Sequence, residues 1–147
     1  AHTPGPFTFI LNATRSLPRR VQNPKRRTIG IRVPDHPVPM ALLEELGEPF
    51  MSSTLILPND ELPLNDVDEI EQRLKADVEL ILGGGGCGIE PTTVIDLTGD
   101  YPQVLREGRG DATDPTPTVR RLVYAAGFKV SENPKRPLIS GFPLFCL

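Results

Sequence analysis

The chain has 147 residues, enough for one domain with a real core. Trp is absent, aromatics make up 5% and there are 17 prolines, a composition that favours aliphatic packing with many loop breaks over a helical bundle. The net charge is −3, yet residues 1–34 contain no acid and carry Arg15, Arg19, Arg20, Lys25, Arg26, Arg27 and Arg32, so the basic groups are segregated from the acids that begin at Asp35.

Phe7 to Leu11 is apolar and rich in β-formers, and follows the turn Pro4-Gly5-Pro6, which predicts a buried strand. Residues 12–27 are polar and basic with Pro18 and Pro24, and fit a loop with at most a short helix. Thr28 to Val33 alternates around Ile29 and Ile31 and stops at Pro34, a second strand. Pro37 to Leu46 has Pro in its first turn, a helical face of Met40, Leu42, Leu43 and Leu46, and Gly47 as its stop. Phe50 to Leu57 reads as a third strand with Ser52, Ser53 and Thr54 in its middle.

After a loop over 58–65, Asn65 or Asp66 is placed to cap a helix with the stripe Val67, Ile70, Leu74 and acids in its first turn. Val78 to Leu82 reads as a fourth strand. It runs into Gly83, Gly84, Gly85 and Gly86, read as a hinge because a phosphate-binding P-loop would end in Gly-Lys-Ser/Thr. Thr92–Leu97 and Val104–Arg106 are the last strands, joined by a Gly-Asp turn. Residues 1–111 thus make an α/β domain with a single twisted sheet, mixed parallel and antiparallel, and flanking helices. From Ala112 the character changes to a Pro-rich tail over 112–147, in which no domain is visible.

Several function classes drop out. No apolar run approaches the roughly 18–20 residues of a membrane span, and the first residues lack the basic and apolar regions of a signal peptide. Cys87 and Cys146 form neither a disulfide framework nor a metal spacing, which makes a cytoplasmic setting the expectation. With only His2 and His36, and no Ser-His-Asp order or paired carboxylates, neither a metal centre nor a nucleophilic triad is expected.

What remains is a set of anion-binding groups. The hairpin over 89–110 brings the hydroxyls of Thr92 and Thr93 and the guanidinium of Arg106 toward one sheet end, a combination suited to a carboxylate or phosphate. The alternative is an ordinary hairpin with a surface arginine. Arg32 and His36 sit between a strand end and a helix start, where α/β sheets hold ligands; the alternative is an end-cap and a turn residue. Ser52-Ser53-Thr54 fits either a polar pocket or hydroxyls that satisfy nearby backbone. Arg15, Arg19, Arg20, Lys25, Arg26 and Arg27 fit either an RNA phosphate surface or a solvated basic loop.

The blocks Pro4 to Leu11, Thr28 to Pro37, Ser52-Ser53-Thr54, Pro91 to Thr98 and Val104 to Gly108, in this order, resemble the YrdC-like family, which includes the threonylcarbamoyl-AMP synthases of tRNA modification. Lys25 to Arg32 and the Leu57-Pro58-Asn59-Asp60 that follows the hydroxyls look closest to the YciO-type branch. The resemblance implies threonine contacts from Arg32, Thr54 and Thr92, and ATP or AMP contacts from His36 and Arg106, with Mg2+ accompanying ATP rather than held by protein ligands. It also implies a second use of the fold, in binding double-stranded RNA or tRNA through a basic surface. There are departures. Where the synthases have Ser-Ala-Asn this chain has Thr54-Leu55-Ile56, so Ile56 replaces an Asn that helps hold the nucleotide. The family's N-terminal half, with its basic phosphate loop, has no counterpart here, so the chain is expected to be a fragment with impaired synthase activity.

Overall fold

The computed structural model describes residues 4–14, 23, 25–86 and 88–113. Its elements in chain order are β1 (Phe7–Asn12), β2 (Thr28–Ile31), α1 (Pro37–Leu46), α2 (Val67–Leu74), β3 (Thr93–Asp96) and β4 (Gln103–Arg106). The four strands form one sheet in the order β2-β1-β3-β4. β1 runs antiparallel to β2 and parallel to β3, and β4 returns antiparallel to β3, so the sheet is mixed as the alternation of elements predicts.

Strand alternation builds one apolar face. Phe7, Phe9, Leu11, Ile29, Ile31 and Ile95 are all buried, and the Phe7 and Phe9 rings stack with centroids 6.1 Å apart. Leu97 packs against this cluster. α1 begins on His36, whose Nδ1 accepts from Val38 N–H at 3.3 Å, and ends on Gly47 in the left-handed region at φ 65°. Leu43 is its buried residue. α2 is capped by Asp66, whose carboxylate accepts from Glu69 N–H at 2.9 Å. Its stripe is only half-buried, and Arg73 ties it to Glu69 at 3.2 Å and Asp60 at 2.9 Å. Those two bonds hold the Arg73 guanidinium protonated above its ordinary range.

Four expectations need correction. Residues 50–57 are not a strand; Met51 makes an isolated bridge and the rest is irregular. Residues 78–82 are not a strand either, so neither segment joins the sheet. Both have β-forming side chains, but a strand exists only when a neighbouring edge takes up its N–H and C=O groups. The glycine run is not a free hinge throughout. Gly84 passes so close to the start of α1 that a Cβ there would lie 2.9 Å from both His36 Cε1 and Val38 Cγ2. β2 also ends at Ile31, two residues before Val33, although Val33 C=O still accepts from Gly5 N–H at 2.9 Å. No helix among the described residues is long and apolar enough to cross a membrane. Residues 114–147, most of the tail, lie outside the described residues, as do Arg15, Arg19 and Arg20.

Candidate functional site

The sheet's strand directions decide which side chains meet. β1 and β3 start at the same end; β2 and β4, running against them, finish there. Arg32 follows the last residue of β2, Thr92 precedes the first of β3, and Arg106 is the last of β4. Three positions far apart in sequence therefore arrive at one sheet end, with the start of β1 between them.

The contacts centre on Thr92. Its hydroxyl lies 2.8 Å from that of Thr8. Its carbonyl accepts from Arg106 twice, from Nε at 3.2 Å and from one terminal nitrogen at 2.9 Å, and the same nitrogen is 3.4 Å from the Thr92 hydroxyl. The guanidinium is thus anchored by one edge while its side chain stays exposed, which leaves its other terminal nitrogen turned from the Thr92 contacts. An Arg fork fixed in this way presents a charged donor without having to be ordered at the moment of binding.

Thr93, grouped with Thr92 in the sequence, has a different task. It is 0% exposed, donates to Gly110 C=O at 2.6 Å and accepts from Gly108 N–H at 3.0 Å. Both functions of its hydroxyl are consumed in holding the chain after β4 against the start of β3, so it is not a ligand donor. Alternation is the reason: Thr93 pairs with Phe7 on the core face, whereas Thr8 pairs with Val94 on the other. Gly108 completes the joint, since a Cβ there would meet the backbone carbon of Thr92 at 2.7 Å.

Thr8 is the member that the sequence did not single out. It is 8% exposed and stands between Phe7 and Phe9. The signal was the break that a hydroxyl makes in an apolar strand, on the opposite face from the two aromatics.

The other candidates are placed less centrally. Arg32 is half-buried, with its Nε shut away from solvent. His36 is half-buried as the cap of α1; because Nδ1 accepts a hydrogen bond, the neutral ring carries its proton on Nε2, and only that nitrogen is left to donate to a ligand. Thr54 is exposed in the irregular segment, outside the four-stranded sheet. Lys25, Arg26 and Arg27 are exposed on the turn that enters β2, where Asn23 Oδ1 accepts from the N–H groups of Lys25 and Arg26 at 3.0 Å and Arg27 takes φ 53°. Arg26 also lines an open depression with Asn12, Asn23, Asp96 and Thr98. That depression lies at the far ends of β1 and β3, opposite the Thr92 cluster. No group of three or more His, Cys, Asp and Glu side chains suited to a metal occurs among the described residues.

Comparison with known proteins agrees with this architecture. Residues 1–108 match the profile of the Sua5_yciO_yrdC family, described as telomere recombination. The chain is 54% identical over 110 residues to the uncharacterized protein YciO of Escherichia coli strain K12, covering 75% of this chain and 53% of that protein. It is 33% identical over 109 residues to a threonylcarbamoyl-AMP synthase of Serratia proteamaculans, covering 74% and 55%. The crystal structure of Escherichia coli YciO superimposes with a TM-score of 0.70, over 76% of this chain and 54% of that one. The chain spans about half the length of the curated relatives it matches.

Proposed function

The chain belongs to the Sua5_yciO_yrdC family, and from that membership we propose that the Thr92 end of the sheet binds a nucleotide and L-threonine, as in threonylcarbamoyl-AMP synthesis. The observation that carries this reading is the Arg106 guanidinium fixed on Thr92, beside the paired hydroxyls of Thr92 and Thr8. Arg106 and His36 are assigned to the nucleotide; Arg32, Thr92 and Thr54 are assigned to threonine.

The chemistry asks little of the protein beyond placement and charge. The amine of threonine and bicarbonate condense to a carbamate with loss of water. A carbamate oxygen then attacks the α-phosphorus of ATP, forming the mixed anhydride and expelling pyrophosphate. Arg106 opposes the phosphate charge and Arg32 the carboxylate of threonine, while the hydroxyls orient the substrate. Mg2+ enters with ATP, held by its phosphates as part of the substrate. Ile56, at the place of the synthases' Asn, removes one nucleotide contact from this scheme.

Calorimetric titration of the full chain with AMP, ATP and L-threonine tests the assignment. Arg106→Ala is expected to weaken AMP binding roughly tenfold or more, the worth of a charge-assisted hydrogen bond. A wild-type chain that takes up neither AMP nor threonine at millimolar concentration sinks the reading. Threonine-dependent pyrophosphate release by these 147 residues alone is expected to stay far below that of a full-length synthase, because they span about half the length of the curated relatives.

A second reading is double-stranded RNA or tRNA binding, which the exposed Lys25-Arg26-Arg27 turn supports. A shape-directed contact to RNA phosphates would be weak, insensitive to sequence and lost with added salt. Titration of a labelled duplex at several salt concentrations, with Arg26 and Arg27 replaced by Ala, separates it from a solvated loop.

A further inference from the structure

The hydroxyls of Thr8 and Thr92, 2.8 Å apart, can be joined in two ways, since either oxygen can supply the proton. Their surroundings choose between the two. Thr8 is buried within β1, and its hydroxyl has no other hydrogen-bond partner among the described residues. The second neighbour of the Thr92 hydroxyl is a terminal nitrogen of Arg106 at 3.4 Å, a group that donates and cannot accept.

If Thr92 gave its proton to Thr8, the Thr8 proton would be left in a buried place with no acceptor among those residues. A buried donor without an acceptor is costly, whereas an oxygen with an unused lone pair is better tolerated. The proton on Thr8 therefore goes to Thr92. The Thr92 oxygen then accepts twice, from Thr8 and from Arg106, which uses both of its lone pairs. Its own proton is left pointing away from both donors.

We infer that Thr8 is a positioning residue that makes the Thr92 hydroxyl a donor, and not an acceptor, toward whatever binds at this end of the sheet. A hydroxyl so fixed selects an anionic oxygen and turns away an ammonium, an amide N–H or another hydroxyl proton. The inference rests on the assignment of L-threonine to this site and deepens it. The part of the amino acid that meets Thr92 is its carboxylate, not its ammonium or its hydroxyl. The backbone keeps the pair set before a ligand arrives. Thr8 and Thr92 share the sheet face opposite Phe7 and Phe9, and Thr93 N–H donating to Pro6 C=O at 3.0 Å fixes the start of β3 against β1. A hydroxyl whose rotation is already settled loses less entropy on binding.

The test has two arms. In NMR spectra of the ligand-free full chain at low temperature, the hydroxyl proton of Thr8 is expected to exchange slowly with water and to show a nuclear Overhauser contact with Thr92. The hydroxyl proton of Thr92 is expected to exchange too fast to be seen. A protected proton on Thr92, or none on Thr8, would overturn the inference. In the second arm, calorimetry compares L-threonine with L-threoninamide, which lacks the anionic oxygens. Thr8→Val keeps the shape of the side chain and is expected to weaken L-threonine about fivefold, while L-threoninamide changes less than about twofold. Thr8→Ser keeps the hydroxyl and should bind both ligands as the wild type does. Equal losses for the two ligands, or no loss at all, would reduce Thr8 to a packing role and overturn the inference. A wild-type chain that binds no threonine sinks the substrate assignment instead. The hydroxyl spectrum, which needs neither ligand nor variant, tells that failure apart from this one.

Discussion

Thr93-Val94-Ile95-Asp96 and Val78-Glu79-Leu80-Ile81-Leu82 are both short β-forming runs, and they end in opposite circumstances. The first is flanked by β1 and β4, and its Ile95 is fully buried. The second has no strand beside it among the described residues, where Leu80 and Leu82 are exposed. Side-chain preference is shared between them, and what differs is an edge to pair with. A strand is a property of two segments at once, because half of its hydrogen bonds belong to the neighbour. The comparison also separates functions: the paired region can hold a guanidinium and two hydroxyls in fixed relation, whereas the unpaired region offers surface.

The sharpest way to break this contrast is at the joint between β3 and the chain after β4. Gly108→Ala drives a methyl group into the Thr92 backbone, which has no rotamer by which to yield. A loss of about 3 kcal/mol or more in urea unfolding is expected; a loss under about 1 kcal/mol would mean that this joint is loose. Thr93→Val comes next. It keeps the shape but strands Gly108 N–H and Gly110 C=O in a buried place, at a cost of about 2 kcal/mol. Equal stability of Thr93→Val and wild type would show that water reaches those groups.

Asp66→Ala removes the cap of α2, worth about 1 kcal/mol to the helix. Because α2 is not part of the sheet's core, the loss should show as faster amide exchange over 67–74 more than as a lower global midpoint. A fall in midpoint as large as that of Thr93→Val would place α2 inside the cooperative unit. The smallest effect belongs to the unpaired region. Leu80→Asp alone should leave the thermal midpoint unchanged, since no packing is removed. A clear drop would reveal contacts that its exposure argues against.

Much of this was legible from the residues. Helix α1 was bounded at both ends by its Pro entry and Gly47, and β1 by its aromatic run after Pro6, because caps and turns act within a few residues. The family resemblance was legible as five ordered blocks, and the match over residues 1–108 bears it out. Alternation also contained the division of labour between Thr92 and Thr93, although spacing alone could not say which face was the core. Other features had no local signature. Thr8 and Thr92 are 84 positions apart, and only the parallel pairing of β1 with β3 brings their hydroxyls within 2.8 Å. The failure of 50–57 and 78–82 to become strands was equally invisible, because the sequence of a strand specifies its side-chain pattern and not its neighbour. Local chemistry determined where helices start, where turns fall and which residues are apolar. Tertiary structure decided which edges pair, and with them which hydroxyls meet Arg106 and which aliphatic side chains are left uncovered.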